Sequence, residues 1–165
     1  MKLAFYAPLK SPDHPVPSGD RAMARAVMAA LEQAGATVDL TSTLRSRDGA
    51  GDISTQREIQ GQATAEQKRL RVLGRDAGWQ AWVTYHNYYK APDLIGPAIA
   101  RELEIPYLQI ESTRAQKRLD GPWHDFAVAA EAACDAAAVI FHLTERDAFA
   151  LRRDCLLYTS PSPRD

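Results

Sequence analysis

The chain has 165 residues, of which 45% are hydrophobic and 25% charged, with a formal net charge of −1. That length suits one α/β domain with its own core, and the charge balance excludes the broad basic surface that nucleic acid requires. No apolar run approaches the roughly 20 residues of a membrane span, and Cys134 and Cys155 have neither metal-site spacing nor the density of a disulfide scaffold, which fits a reducing cytoplasm.

Residues 2–7 form a short apolar run closed by Pro8, the pattern of a buried strand. A loop over residues 9–19 follows. Met23, Val27, Ala30, Leu31 and Ala34 then repeat on one face of a helix. Ser18 or Asp20 can cap its start, and Gly35 suits the left-handed position past its end. Residues 37–41 read as a second strand and 42–52 as a loop. Residues 54–77 read as a mostly exposed helix whose sparse apolar positions are Ile59, Ala63, Leu70 and Leu73.

Residues 81–85 give a third strand, from whose carboxyl end His86-Asn87-Tyr88-Tyr89-Lys90 departs. A helix over 93–104 tolerates Pro97 in its first turn. Residues 106–110 form a fourth strand, and 111–121 a polar loop. Phe126, Ala130, Ala133, Cys134 and Ala137 trace another helical stripe. Residues 138–143 form an apolar fifth strand of buried character, and Thr144 caps a helix opening at Glu145-Arg146-Asp147. Strand–helix alternation predicts an α/β, Rossmann-like parallel sheet of at least five strands with helices on both faces, its first strand near the centre. Residues 155–165 break this pattern with two prolines. They read as a tail, either non-native sequence of adapter origin or a disordered terminus, with no function of its own.

In such a sheet ligands bind outside the carboxyl ends of the strands, so chemistry is sought in the loops there. Ser18-Gly19-Asp20 stands at the start of the first helix, where a backbone free of Cβ and an N-terminal dipole favour an anion. It is no dinucleotide fingerprint, because G-x-G-x-x-G is absent, and no P-loop exists. His86 can exchange a proton with a sugar hydroxyl and is the candidate catalytic residue, with Asn87 beside it. Glu111, Ser112, Thr113 and Arg114, with Lys117 and Arg118 behind, gather a carboxylate, two hydroxyls and three cations after the fourth strand, a mixture suited to a polyhydroxylated or phosphate-bearing acceptor. His14, His124 and His142 have weaker claims. No spaced ligand set implies a metal, and no Asp-x-Asp implies a metal-dependent GT-A transferase.

Three passages resemble the amino-terminal domain of family 4 GT-B glycosyltransferases. They are the opening strand with its loop to Ser18-Gly19-Asp20-Arg21 and helix closing at Gly35; the stretch from Asp93 to Glu104-Ile105-Pro106-Tyr107; and Asp135 to Ile140 followed by Leu143-Thr144-Glu145. The resemblance spans residues 1–154. It implies an acceptor-binding domain with a missing carboxy-terminal Rossmann domain as its partner, and a nucleotide sugar as co-substrate rather than a cofactor. It also implies retention of configuration without an essential metal. Ser18, Gly19 and Asp20 would face the donor diphosphate. His86, Asn87, Glu111, Ser112, Thr113, Arg114 and Arg118 would face the sugar acceptor. Many relatives carry histidine where this chain has Glu111. Glu58 and Glu66 share the spacing of the family's carboxylate pair, but they fall on the exposed second helix and read as coincidence. The rival readings are a flavodoxin-like or sugar-binding module without chemistry, and a different nucleotide-using Rossmann enzyme, which the absent glycine fingerprint disfavours.

Overall fold

The computed structural model describes residues 1–145 together with 148 and 151; the expected tail at 155–165, with Arg146 and Asp147, lies outside these. Strands and helices alternate as β1 (Lys2–Tyr6), α1 (Gly19–Gln33), β2 (Thr37–Ser42), α2 (Ile53–Ala77), β3 (Ala81–Tyr85), α3 (Gly96–Glu102), β4 (Tyr107–Ile110), α4 (His124–Ala136) and β5 (Val139–Phe141), with one 3-10 turn at Gln116–Arg118. The five strands pair in parallel in the order β2-β1-β3-β4-β5. β1 is an interior strand one place from the centre, which β3 occupies. The chain runs outward from β1 to β2 and then crosses to β3 on β1's other side. The order therefore reverses between β1 and β3, and this switch point opens a crevice at their carboxyl ends.

Alternation along the strands divides the core into two layers. Leu3, Phe5, Ala7, Ala81, Val83 and Tyr85 face α1, which contributes Ala24, Val27, Met28 and Leu31. Ala4, Tyr6, Trp82 and Tyr107 face the opposite side, against Ala63 and Leu70 of α2, Ile99 and Ala100 of α3 and Ala133 of α4. Helices thus cover both faces. Ser18 caps α1 by accepting a hydrogen bond from the Arg21 N–H at 3.3 Å, and Gly35 takes the left-handed conformation at φ 87°.

Three expectations are corrected. α2 is mostly exposed as expected, with Ile59, Ala63 and Leu70 buried alongside Gln56 and Gly74, but Leu73 among its apolar positions faces water. Its polar Gln56 is inward because it donates to Asp48 Oδ2 and to the Pro122 carbonyl, both at 2.8 Å. β5 is not buried, with Val139 and Phe141 45% and 51% exposed, because it is the outermost strand. Asp93 is not helical. It precedes α3 and closes the helix start from inside the core, accepting hydrogen bonds from the Ile95 and Gly96 N–H groups at 2.9 and 2.8 Å. Pro97 does fall in the first turn.

Asp93 also accepts from Thr84 Oγ1 and from the Tyr107 hydroxyl. Burial, against these hydrogen bonds, holds it above the ordinary carboxylate range. Gly96 is what lets α3 start against this carboxylate. A Cβ there would press into Asp93 Oδ2 and Trp82 Nε1 and stand 2.7 Å from Tyr107 Cε2. Because a fully buried strand pair cannot yield, Gly96→Ala is expected to lower the unfolding free energy by about 3 kcal/mol. Urea denaturation followed by circular dichroism measures this. A loss below about 0.5 kcal/mol, the range of neutral surface changes, would show that α3 is free to move aside.

Candidate functional site at the strand carboxyl ends

The switch point brings the start of α1 and the end of β3 together. His86 Nδ1 lies 3.4 Å from Asp20 Oδ1, and the His86 N–H donates to the Ile110 carbonyl at 2.9 Å, tying the β3 exit to β4. The Glu111 N–H donates to the Phe141 carbonyl at 2.8 Å and the Thr113 N–H to the Asn87 carbonyl at 3.1 Å. The loops bearing Gly19, His86 and Glu111 therefore converge on one rim.

Two adjacent strands leave this rim in the left-handed region without glycine, His86 at φ 65° and Glu111 at φ 56°. That conformation costs an L-residue about 1–2 kcal/mol, and such strain is kept where the surrounding structure dictates side-chain direction. The same two residues carry buried polar atoms without a formed hydrogen bond, His86 Nδ1, whose facing group is the Asp20 carboxylate at 3.4 Å, and Glu111 Oε2. Between them stands Tyr85, 3% exposed. Burial first, and then the Glu111 and Asp20 carboxylates, push its hydroxyl well above the usual phenol range. Imidazole, phenol and two carboxylates thus converge at the crevice.

Other candidates have different work. Asn87 is corrected from acceptor contact to core. It is fully buried, its amide donates to the Ala130 carbonyl at 3.0 Å and to Cys134 Sγ at 3.3 Å, and its Oδ1 accepts from the Asp93 N–H at 2.9 Å. Arg114 is likewise corrected. It pairs with Glu131 at 2.7 Å and also with Asp135, which fastens the β4 loop to α4 through both terminal nitrogens and leaves Nε buried and unpartnered. Ser112 is also corrected, since it is fully buried with its hydroxyl unpartnered and presents no surface to an acceptor. Ser18 spends its hydroxyl on capping α1, and the Asp20 carboxylate turns to His86. Of that trio Gly19 alone leaves open space, with nothing within 4 Å of where a Cβ would stand. Thr113 is half-buried and Arg118 exposed. Glu58 and Glu66 both sit on α2, where Glu66 is paired with Arg69 at 2.8 Å.

Sequence reading missed the aromatic ridge that continues the rim. His86 and Tyr88 rings are 5.0 Å apart, Tyr88 and Tyr89 5.7 Å, and Tyr89 and Trp123 5.7 Å. The signal was present in Tyr88-Tyr89-Lys90, but Trp123 reaches them only through the fold. Two surface hollows lie elsewhere, along β2, one lined by Asp39, Thr41 and Trp79 and the other by Arg45, Glu66 and Arg69. They hold none of the strained or unpartnered groups. Protein-family models, curated proteins and solved structures give no match to this chain.

The β2 loop is held against the ridge by Asp48. Its carboxylate accepts from the N–H groups of Ala50, Gly51 and Asp52 and from Gln56 Nε2, at 2.8–3.1 Å. Burial raises its pKa, but these four donors outweigh burial and leave it below the ordinary carboxylate value. A depressed folded-state pKa contributes stability that is present above the unfolded value, near 3.9, and is lost as pH falls through the folded value. Asp48→Ala is therefore expected to cost about 1–3 kcal/mol at neutral pH, with the gap to wild type closing below about pH 4. Chemical denaturation across pH 3–7 reads this, and a gap that widens in acid would refute the assigned hydrogen-bond role.

Proposed function

We propose that this chain is the acceptor-binding half of a GT-B-type glycosyltransferase, which moves a sugar from a nucleotide-sugar donor to an acceptor held against the β1/β3 crevice. The observation that carries the reading is the meeting of His86 and Asp20 at the switch point, 3.4 Å apart. An Nδ1–H facing the Asp20 carboxylate leaves His86 Nε2 as the acceptor for a hydroxyl proton, which is what a sugar acceptor offers. The helix start at Gly19 supplies a dipole and close backbone approach for the donor diphosphate. Glu111 and Tyr85 offer an acceptor and a donor to neighbouring hydroxyls, and Thr113 adds a second hydroxyl at the rim.

No single strong base is required by this arrangement. Alignment of two reactants supplies about 7–11 kcal/mol of a transfer barrier, and electrostatic stabilisation of the leaving diphosphate supplies more. The donor's remaining contacts would come from a second Rossmann-like domain of the same protein. By the resemblance, transfer retains configuration and needs no metal, and the near-neutral charge balance argues against a nucleic-acid partner. No helix among the described residues is long and apolar enough to cross a membrane.

The test is transfer of radiolabelled sugar from a panel of nucleotide donors by the reading frame that joins this chain to a sugar-nucleotide domain. His86→Ala is expected to lower kcat about 10²-fold, with Asp20→Asn intermediate. The 165-residue chain by itself is expected to fold and give no transfer. Turnover by this chain alone at the two-domain rate would overturn the reading.

A further inference from the structure

Beyond His86 the ridge ends in an unusual charge arrangement. Tyr89 and Trp123 meet edge to face. Lys90 Nζ lies 5.0 Å from the Trp123 ring centre and 5.7 Å from that of Tyr89. Arg118 Cζ lies 5.2 Å from Tyr89 and 5.9 Å from Trp123. Two cations from different loops therefore share one aromatic pair. A third, Arg47 on the β2 loop, faces the Tyr88 hydroxyl, where it offsets part of the rise that burial imposes on that phenol.

Among the described residues none of these three cations forms an ion pair with a carboxylate. The acid on the same loop, Asp48, is already saturated by three backbone N–H groups and Gln56. Cations gathered on one surface repel one another unless an anion joins them. A guanidinium or ammonium resting on a ring spends its face on the π-system and keeps N–H donors for an oxyanion.

The platform is also held in place. Trp123 Nε1 donates to the Asp48 carbonyl at 3.2 Å, and the Asp48 N–H donates to the Lys90 carbonyl at 2.9 Å. Tyr88 and Ala91 exchange backbone hydrogen bonds. Gly51, at φ 77°, lets the Pro122–Trp123 segment lie flush on the β2 loop, since a Cβ there would stand 2.8 Å from Pro122 Cβ. Little ordering is left for a ligand to impose, which favours binding.

We propose that Tyr89, Trp123, Lys90 and Arg118 form a subsite for an oxyanion carried on a ring. The apolar face of a sugar ring lies on the aromatic pair, and its phosphate or carboxylate is held by the two cations. The inference rests on the reading of the crevice as the acceptor side and deepens it. The acceptor is anionic, with its charged end on the ridge and its reacting hydroxyl toward His86.

The probes are glucose 6-phosphate, glucuronate and methyl glucoside, titrated into the 165-residue chain and followed by NMR shifts of the Trp123 indole N–H. One charged sugar is expected to bind about tenfold more tightly than the neutral one, and which of the two does so distinguishes phosphate from carboxylate. Lys90→Gln combined with Arg118→Gln abolishes that preference. Arg71→Gln, which removes an α2 cation paired with Glu102 of α3, leaves it intact. On the unaltered chain, added salt weakens the charged probe and spares the neutral one. Equal affinity for charged and neutral sugars overturns the subsite, as does a preference that survives the double substitution. Either result does so whatever the transfer assay returns. Charge-dependent binding that the double substitution abolishes supports the subsite even where no transfer is found, and in that case it is the glycosyltransferase reading that fails.

Discussion

A closed circuit of buried polar contacts runs from Asp93 to the Tyr107 hydroxyl, on through Gln109 and the Cys134 thiol to the Asn87 amide, and back to the Asp93 N–H. It joins the β3 and β4 regions, the start of α3 and the last turn of α4. Water does not substitute for any member, because Asp93, Gln109 and Asn87 are at most 2% exposed. A half-satisfied network of this kind would be worse than an apolar core, so its members stand or fall together. Asn87 belongs to this circuit, and its neighbour His86 is thereby held at a fixed height above the sheet. Glu111 is fixed by its own N–H on β5 and by Arg114 three residues on, locked to α4. The unfavourable backbone of both rim residues follows from these anchors.

This division of labour explains what could be read from the amino-acid order and what could not. Short apolar runs and period-3.6 stripes carried the strands and helices among the described residues to within a few residues, because each such pattern reflects which surfaces are dry. The edge position of β5 was hidden, since an apolar run looks the same on an outermost strand as on a central one. The burial of Asn87 and Asp93 was hidden for another reason. Their partners, Ala130, Cys134 and Tyr107, are remote in sequence, and a polar residue beside a strand end reads as solvent-facing until those partners are known. Arg114 was legible as a cation but not as a strut, because its acids lie on α4. The rim itself was legible. His86, Gly19 and Glu111 each follow a strand, and parallel pairing alone places them at one edge.

The crevice that results is electrically lopsided. The Asp20 carboxylate faces the imidazole and that of Glu111 the Tyr85 phenol, while Lys90, Arg118 and Arg47 cluster along the aromatic ridge. The formal charge of −1 conceals this separation. A molecule entering the crevice meets opposite potentials a few side chains apart, which orients it before any close contact forms.

The Cys134 thiol makes the polar circuit observable from outside. Burial pushes its pKa up to about 12, so at neutral pH it is a protonated, enclosed group that thiol reagents reach only when the circuit breaks. In a chain whose other cysteine, Cys155, is replaced by serine, the rate of alkylation would count openings of the region beneath the rim. It would do so residue-specifically and without denaturant, as amide exchange does for backbone groups. A molecule bound above the rim would slow that clock only by holding the circuit shut. One sulfur atom in the core thereby reports on occupancy of a surface it never touches.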